Sequence, residues 1–413
     1  MGLMMQALLS GANFVVGVIL IRRTNDAQYG YYILATNALL LITALQTSFI
    51  QPYIVTNITR MDLAARRDLI GGLVRTNRRW VPPLCALGLL ITALLWAVHV
   101  LNAPTAILVG ITVVTAAFTL GREFLRTTLF ALHRPAAVLR ADIVYVVLLI
   151  VGAYVATLLP HSARVATASM AVAALLARFM LSRGLWNLEP WNRESTKPVL
   201  KAMSALGGWA IAGSGIHWLL IQGYSYLVVG VLDVHFVAAI AATRLLLVPV
   251  FVLSGGVSML LFPITSRWVH ESGVSSAARK LSLLVAALAV LALCYMGIMW
   301  LMRDWIFAVV LKKHFEQRDQ LLLLWGAVFL VTLCRDQLAT LPASCEKFRD
   351  MTLLTGFSTV AWAISSVAAM DLIGPLGAVL GILIGEVINI LGIVVMILRE
   401  TRVPRPAKPA PTF

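Results

Sequence analysis

Residues 375–398 read PLGAVLGILIGEVINILGIVVMIL, and Glu386 is the one charged residue in this stretch. Spanning the hydrocarbon layer of a bilayer takes about 20 apolar residues at a helical rise of about 1.5 Å each, so a helix of this length reaches across it. The whole chain has the same character, because 60% of its 413 residues are hydrophobic, 12% are charged and the mean hydropathy is +0.89. The sequence therefore predicts an integral membrane protein.

Comparable apolar stretches recur along the chain, separated by polar residues or by Pro and Gly. They lie at about residues 2–21, 31–55, 80–101, 105–121, 141–159, 163–182, 206–230, 236–262, 281–302, 320–341, 352–370 and 375–398. We therefore expect an all-α, polytopic membrane protein with twelve transmembrane helices in two six-helix lobes.

The expected division runs through the middle of the chain. We predict an N-terminal lobe at residues 1–183, a cytoplasmic linker at 184–205, a C-terminal lobe at 206–398 and a disordered, basic, Pro-rich tail at 399–413. The halves show a weak repeat, since Asp26, Thr36 and Asn37 lie 207 positions ahead of Asp233, Thr243 and Arg244. Two copies in the same orientation predict a cavity between the lobes, as in transporters built from parallel repeats.

The cations predict the orientation in the membrane. Of the 33 Lys and Arg residues, 24 lie in the tail or in the connections that follow even-numbered stretches, whereas 7 lie in the other connections. Since cytoplasmic loops retain Lys and Arg, we expect both termini on the cytoplasmic side of a bacterial inner membrane. Such an excess of cations beside a membrane suggests contact with anionic lipid rather than with nucleic acid.

Signatures of enzymes and of metal sites are missing from the sequence. The four cysteines form no CxxC pair, and the sequence contains no GxxxxGK[ST], HExxH or GxSxG motif. We therefore expect a protein that is not an enzyme and has no cofactor. Without a nucleotide site, transport would draw on a gradient of H⁺ or Na⁺ or on the substrate itself.

Four charged residues lie inside apolar stretches of the C-terminal half. Arg244 and Glu386 fall near the middle of their stretches, and Arg335 and Asp336 lie nearer the inner end. A charge at that depth is costly and normally faces a cavity or a partner. Either the arginines bind an anionic substrate, or the four residues, whose charges sum to zero, form structural ion pairs. Because consecutive helical residues point about 100° apart, we expect Arg335 and Asp336 to pair elsewhere rather than with each other.

Two further pairs of arginines are candidates for the rims of the cavity. Arg22 and Arg23 lie at the outer end of the first stretch, and Arg122 and Arg126 share a helix face at the inner end of the fourth. A guanidinium group suits a phosphate because its planar fork makes two parallel bonds and it stays protonated. Interfacial snorkelling explains the first pair as well, and positive-inside anchoring explains the second.

Glu386 and Asp336 are also candidates for ion coupling. A carboxylate inside the membrane can bind and release a proton or a sodium ion during alternating access. An arginine beside it would keep it ionised and argue against proton exchange.

Three segments carry a resemblance to a known family. IRRTNDAQYGYY (21–32) resembles the end of the first helix in bacterial polysaccharide-export flippases, and FPITSR (262–267) resembles their Pro-containing exit from helix eight. Residues 304–315 resemble the short amphipathic segment between their helices nine and ten. The chain is thus similar over nearly its whole length to the lipid-linked oligosaccharide (O-antigen type) flippases of the multidrug/oligosaccharidyl-lipid/polysaccharide (MOP) transporter superfamily. It departs from the family pattern in having no basic stretch before the first helix.

The resemblance implies a MATE-like fold and a function. A flippase of this kind moves a polyprenyl-diphosphate-linked oligosaccharide across the inner membrane by alternating access, for assembly of lipopolysaccharide O-antigen, capsule or exopolysaccharide. Its implied partners are that substrate, membrane lipids, a polysaccharide polymerase and a chain-length regulator.

Two alternatives stay open. The first is an ion-coupled drug or small-molecule antiporter of the same superfamily, which would need an unpaired acid in the N-terminal lobe. Asp142 is the candidate acid in the first six stretches. The second is a membrane-embedded assembly partner of a polysaccharide polymerase that transports nothing itself.

Overall fold

The computed structural model of the chain describes residues 2–58, 61–188, 191–192 and 200–402, and nearly all of them are helical. The helices of the first half are α1 Gly2–Arg23, α2 Asp26–Ile58, α3 Leu63–Ala97, α4 Ala103–Ala131, α5 Pro135–Ala156, α6 Ser162–Leu188, α7 Leu200–Gln222 and α8 Tyr224–Val231. Those of the second half are α9 Val234–Leu301, α10 Arg303–Trp305, a π-helical segment Ile306–Leu311, α11 Arg318–Leu338, α12 Thr340–Ser344, α13 Phe348–Ile373 and α14 Pro375–Arg402. The predicted all-α class is confirmed.

Within the described ranges, eleven segments are long and apolar enough to cross a membrane. The seventh predicted stretch, 206–230, is divided between α7 and α8 by a turn at Gly223. The eighth and ninth stretches both belong to α9, whose helical geometry is interrupted at Gly273 (φ 79°, ψ 165°). The parts of α9 before and after this glycine pack against each other, since the Tyr295 hydroxyl donates to the Leu246 carbonyl at 2.8 Å. The architecture thus agrees with the twelve predicted spans.

Side chains outside the apolar stretches fix where several helices begin. Asp62 accepts a hydrogen bond from the backbone N–H of Ala65 at 2.8 Å, and Asn102 accepts one from Thr105 at 2.9 Å. These bonds satisfy backbone donors that would otherwise be unpaired in the first turns of α3 and α4. The stop between α13 and α14 follows from Gly374, at φ 61°, and from the proline after it.

The first compact unit comprises Met1–Tyr226 and Val234–Ala238. Within it α2 packs against α4 and α7, α4 packs against α3 and α6, and α5 packs against α1 and α6. The second half of α3 exposes more than half of each of Leu84, Leu87, Leu90 and Leu94, as a surface in contact with lipid tails would. This exposure fits a helix at the periphery of a membrane-embedded bundle.

Helix α7 lies in this first unit, whereas the sequence predicts residues 206–398 as the C-terminal lobe. Helix α7 packs against α2, and the Trp218 indole donates to the Asn37 carbonyl at 3.1 Å. The Asn37 amide also donates to Ser225, at the start of α8, at 2.9 Å. Buried hydrogen bonds of this kind hold transmembrane helices together. Much of the predicted linker, at 189–190 and 193–199, and residues 403–413 of the predicted tail lie outside the described residues.

The second compact unit comprises Leu227–Asp233 and Ala239–Phe413. Within it α14 packs against both α13 and α11. A Cβ atom at Gly377 would overlap the backbone of Ala369 and Met370, and one at Gly381 would overlap Ser366. Small residues four apart let two helix backbones approach closely inside a membrane, so the sequence GAVLG decides this contact.

Candidate functional site

One charged cluster lies inside the second unit, where α11 meets α14. Nε of Arg335 is 3.2 Å from Oε2 of Glu386, and Nη2 of Arg335 is 3.3 Å from Oε1 of the same carboxylate. Arg335 is 6% exposed and Glu386 is 2% exposed. The structure therefore brings together two of the charged residues that the sequence singled out, on helices 51 residues apart in the chain.

The same arginine also contacts the acid that follows it. Nη2 of Arg335 is 3.2 Å from Oδ1 of Asp336. The expectation that these consecutive residues do not neutralise each other is therefore wrong. Their Cβ atoms do diverge around the helix, but an arginine side chain is long enough to turn its guanidinium group back toward a neighbour's carboxylate.

Polar side chains of α9, α11 and α14 lie beside the cluster. Ser254 donates to Oδ2 of Asp336 at 3.3 Å, and Gln337 donates to the Ser254 carbonyl at 3.1 Å. One turn beyond Glu386, the amide nitrogen of Asn389 is buried and has no hydrogen-bond partner among the described residues. One arginine between two carboxyl groups leaves one acid in excess, and carboxylate and hydroxyl oxygen atoms are of the type that binds a small cation.

Arg244 lies elsewhere in this unit. Its guanidinium carbon is 5.5 Å from the centroid of Trp325, and the Trp325 indole donates to the Ile240 carbonyl at 3.1 Å. Ten residues of α11, about 15 Å of helical rise, separate Trp325 from Arg335. The structure thus places Arg244 and Arg335 at different levels and does not join them into one binding site.

A second charged cluster lies inside the first unit, between α4 and α5. Nη2 of Arg122 is 2.5 Å from Oδ1 of Asp142, and Nε of Arg126 is 3.1 Å from Oδ2 of the same carboxylate. Glu123 accepts from Arg122 at 2.6 Å, and the Arg122 guanidinium lies 3.7 Å from the centroid of Tyr145. Two arginines and two acids balance in charge, and Asp142 is fully buried.

This pairing is not among the predictions made from the sequence, although the spacing of the residues contains a signal for it. α4 and α5 are joined by a short turn, which makes them an antiparallel hairpin. Arg126 lies five residues before the last residue of α4, and Asp142 lies seven residues after the first residue of α5. Residues at similar distances from the turn of a hairpin lie at similar depths, so the two side chains meet.

The remaining candidate pair lies near the other end of α5. Arg22 and Arg23 are exposed at the end of α1, and the guanidinium carbon of Arg23 is 4.8 Å from the Tyr154 ring centroid. Twelve residues of α5, about 18 Å of rise, separate Tyr154 from Asp142. In the first unit the four candidate arginines therefore form two separate groups, and their roles in substrate binding stay predictions.

Comparison with solved structures identifies the fold. The chain is similar to an inward-facing multidrug resistance MATE family transporter of the MOP superfamily, with a TM-score of 0.79 and 14% sequence identity over 96% of this chain and 94% of that one. It is similar to the lipid II flippase MurJ in an inward closed conformation, with a TM-score of 0.77 and 11% identity over 96% of this chain and 87% of that one.

An outward-facing MATE family transporter matches with a TM-score of 0.63 and 12% identity over 97% of this chain and 93% of that one. No family model matches the sequence, and no curated protein matches it. At these identities the likeness establishes the fold, which this chain shares with MATE transporters and with MurJ along nearly its whole length.

Proposed function

We propose that this chain is a transporter that flips a polyprenyl-diphosphate-linked oligosaccharide across the bacterial inner membrane by alternating access, for assembly of O-antigen, capsule or exopolysaccharide. The observation that carries the proposal is the fold shared with MurJ, a lipid II flippase, over 96% of the chain. The resemblance of residues 21–32 and 262–267 to polysaccharide-export flippases supports the same substrate class.

A diphosphate crossing the membrane needs cations along its route, because moving its charge into a medium of low dielectric constant is costly. Arg244 is our first candidate for that contact. It lies on α9 at about the depth predicted for the membrane midplane, it is half-buried, and the face of Trp325 supports its guanidinium group. The planar fork of a guanidinium group suits two parallel bonds to a phosphate group.

The test is the Arg244→Ala variant in a cell whose surface polysaccharide depends on this chain. We expect surface polysaccharide to be lost while the amount of protein in the membrane stays the same. Arg244→Lys should restore part of the export, because it keeps the charge but not the fork. The matched control is Arg279→Ala, an exposed arginine of the same helix, which should export normally. Unchanged export by Arg244→Ala would remove this residue from the mechanism.

An ion-coupled drug antiporter is the second candidate function. The similarity to MATE family transporters and the excess carboxylate of the Arg335, Asp336 and Glu386 cluster both favour it. Against it, Asp142, the candidate acid of the N-terminal half, is paired with Arg122 and Arg126. In either kind of transporter, that cluster is our candidate for binding H⁺ or Na⁺ as coupling ion. Drug resistance that follows expression of the chain in cells lacking efflux pumps would favour the antiporter over the flippase.

Reconstitution tests whether the chain transports anything by itself. We expect the purified protein in vesicles to move a labelled lipid-linked oligosaccharide from one leaflet to the other. Failure under every ion gradient would favour the alternative of an assembly partner that recruits a polysaccharide polymerase. Reporter fusions at both ends would test the cytoplasmic location that the cation distribution predicts for the termini.

A further inference from the structure

Two adjoining cavities lie within the first unit, outside both charged clusters. The larger has a volume of about 540 Å³ and the smaller about 170 Å³. They lie between α3 and α6, with α4 forming part of the wall of the smaller one, and they share Val74, Arg78, Ser182 and Trp191 among their lining residues. The cation distribution predicts that this end of the helices faces the cytoplasm.

The charged residues that line these cavities are all arginines. Arg75 and Arg78 come from α3, and Arg178 and Arg183 come from α6. Among the described residues, no Asp or Glu lines either cavity, and none of the four arginines forms an ion pair with a carboxylate. The cavities thus differ from both charged clusters, where every arginine forms an ion pair with an acid. Four like charges around one space repel each other unless an anion occupies it.

The backbone of α4 leaves room for one of these arginines. A Cβ atom at Gly121 would lie 2.6 Å from Nε and 2.7 Å from Cζ of Arg178. The glycine therefore lets the guanidinium group lie flat against α4 at the wall of the smaller cavity. Arg178 is half-buried there and carries the same sign of charge as Arg78 on the opposite helix. A half-buried cation that faces another cation is a site that favours an anionic ligand.

Apolar and aromatic side chains form the rest of the lining. Phe124, Leu125 and Phe179 line the smaller cavity, and Trp186 and Trp191 line the larger one. The two tryptophan rings pack edge to face with their centroids 4.9 Å apart. Tryptophan favours the boundary between headgroups and acyl chains. Arginines beside an apolar wall at that depth match a ligand with a phosphate at one end and acyl chains at the other.

We propose that these cavities bind the phosphate headgroup of an anionic phospholipid of the cytoplasmic leaflet. Arg78 and Arg178 hold the phosphate between α3 and α6, Arg75 and Arg183 add positive charge at the exposed side, and the acyl chains follow the apolar wall. Basic pockets between transmembrane helices on the cytoplasmic side recognise lipid headgroups by the same chemistry. The bound lipid is a resident ligand of one unit and is distinct from the transported substrate.

The experiment uses the purified full-length chain in a neutral detergent, washed free of co-purified lipid. Its thermal unfolding midpoint is measured against rising concentrations of dioleoylphosphatidylglycerol, dioleoylphosphatidylcholine or sodium phosphate at constant ionic strength. We expect the phosphatidylglycerol to raise the midpoint and the phosphatidylcholine to leave it unchanged. No shift with phosphatidylglycerol overturns the proposal. A shift of equal size with sodium phosphate overturns the lipid as the source and identifies free phosphate as the ligand.

Variants locate the effect. The double variant Arg78→Gln with Arg178→Gln should need at least about tenfold more phosphatidylglycerol for half of the shift, as expected for the loss of charge-assisted bonds. Arg134→Gln with Arg140→Gln removes the same charge from exposed positions at the same end of the unit and should behave as the unaltered chain. An equal loss in both double variants overturns the proposal, because general attraction to the cations would then suffice.

If the first double variant does not fold, Arg75→Gln with Arg183→Gln replaces it, since both side chains are exposed and tolerate substitution. We expect a loss in the same direction, and the absence of any loss overturns the proposal. None of these measurements requires transport, so their result is independent of whether the flippase assignment holds.

Discussion

Each of the two units buries a cluster of arginines and acids, but the ratio of arginines to acids differs between them. In the first unit, Arg122 and Arg126 form ion pairs with Glu123 and Asp142, so arginines and acids are equal in number. In the second, Arg335 alone lies between Asp336 and Glu386. A balanced cluster locks two helices together, whereas a cluster with one acid in excess still has room for a cation. The comparison indicates that burial alone does not identify a functional charge, and that the ratio of acids to bases must be counted as well.

Removing Asp142 should break the balanced cluster with the largest effect on stability. In Asp142→Asn, Arg122 and Arg126 lose the carboxylate with which both form ion pairs. Removing one partner of a buried ion pair costs about 3–5 kcal/mol. We expect a loss of this size in the free energy of unfolding, measured in mixed micelles. The control is Glu271→Gln, whose partner Arg267 is fully exposed, and it should unfold as the unaltered chain does. Equal stability of the two variants would show that the first cluster is not structural.

The second unit depends on close backbone contact as well as on charge. Gly377→Ala places a methyl group against the backbone of Ala369 and Met370, which neither helix can accommodate without moving. Overpacking of this kind costs about 2 kcal/mol. Gly356→Ala is the matched control in α13, because a Cβ atom there meets no other atom within 4 Å. Thermal unfolding of the two variants in detergent should separate them, and an equal midpoint would contradict the packing argument.

Replacing Glu386 should change ion dependence more than stability. In Glu386→Gln the Arg335 guanidinium keeps its contact with Asp336, so we expect a loss of about 1 kcal/mol, the size of one hydrogen bond. The remaining pair is neutral, and binding of Na⁺ or H⁺ by the purified chain, measured by calorimetry, should disappear. Asp304→Asn removes an exposed acid of the same unit as a control. Ion binding that survives in Glu386→Gln would exclude this cluster as the coupling site.

The smallest effect is expected at the end of α1, beside Tyr154. Arg23→Ala removes a guanidinium group that lies over the Tyr154 ring, and an exposed contact of this kind contributes about 0.5 kcal/mol. Arg22→Ala removes an equally exposed neighbour that contacts no aromatic ring within the described part of the chain. We therefore expect Arg23→Ala to unfold at a lower denaturant concentration than Arg22→Ala. If surface polysaccharide is lost in either variant without a change in stability, the arginine belongs to the substrate route.

Hydropathy predicted the spans because burial of apolar residues in lipid is a property of each segment by itself. Hydropathy does not predict the structure of the polar segment between the eighth and ninth stretches, which is helical as far as the break at Gly273. That segment pairs Arg267 with Glu271 four residues later, a local contact that favours helix without adding hydrophobicity. The contacts of α7 and of Arg335 were not predictable in the same way, because they depend on residues far away in the chain.

The two charged clusters also differ in the time that passes between the synthesis of the arginine and that of its distant acid. Arg122 and Asp142 are separated by 20 residues in one hairpin, so they can pair as soon as α5 emerges, and their cluster can enter the lipid with its charges balanced. Arg335 precedes Glu386 by 51 residues, about 3–10 s of translation at 5–20 residues per second. Until α14 is made, α11 has only Asp336 to offset its arginine, and a nascent chain stopped before Glu386 should remain open to quality-control proteases.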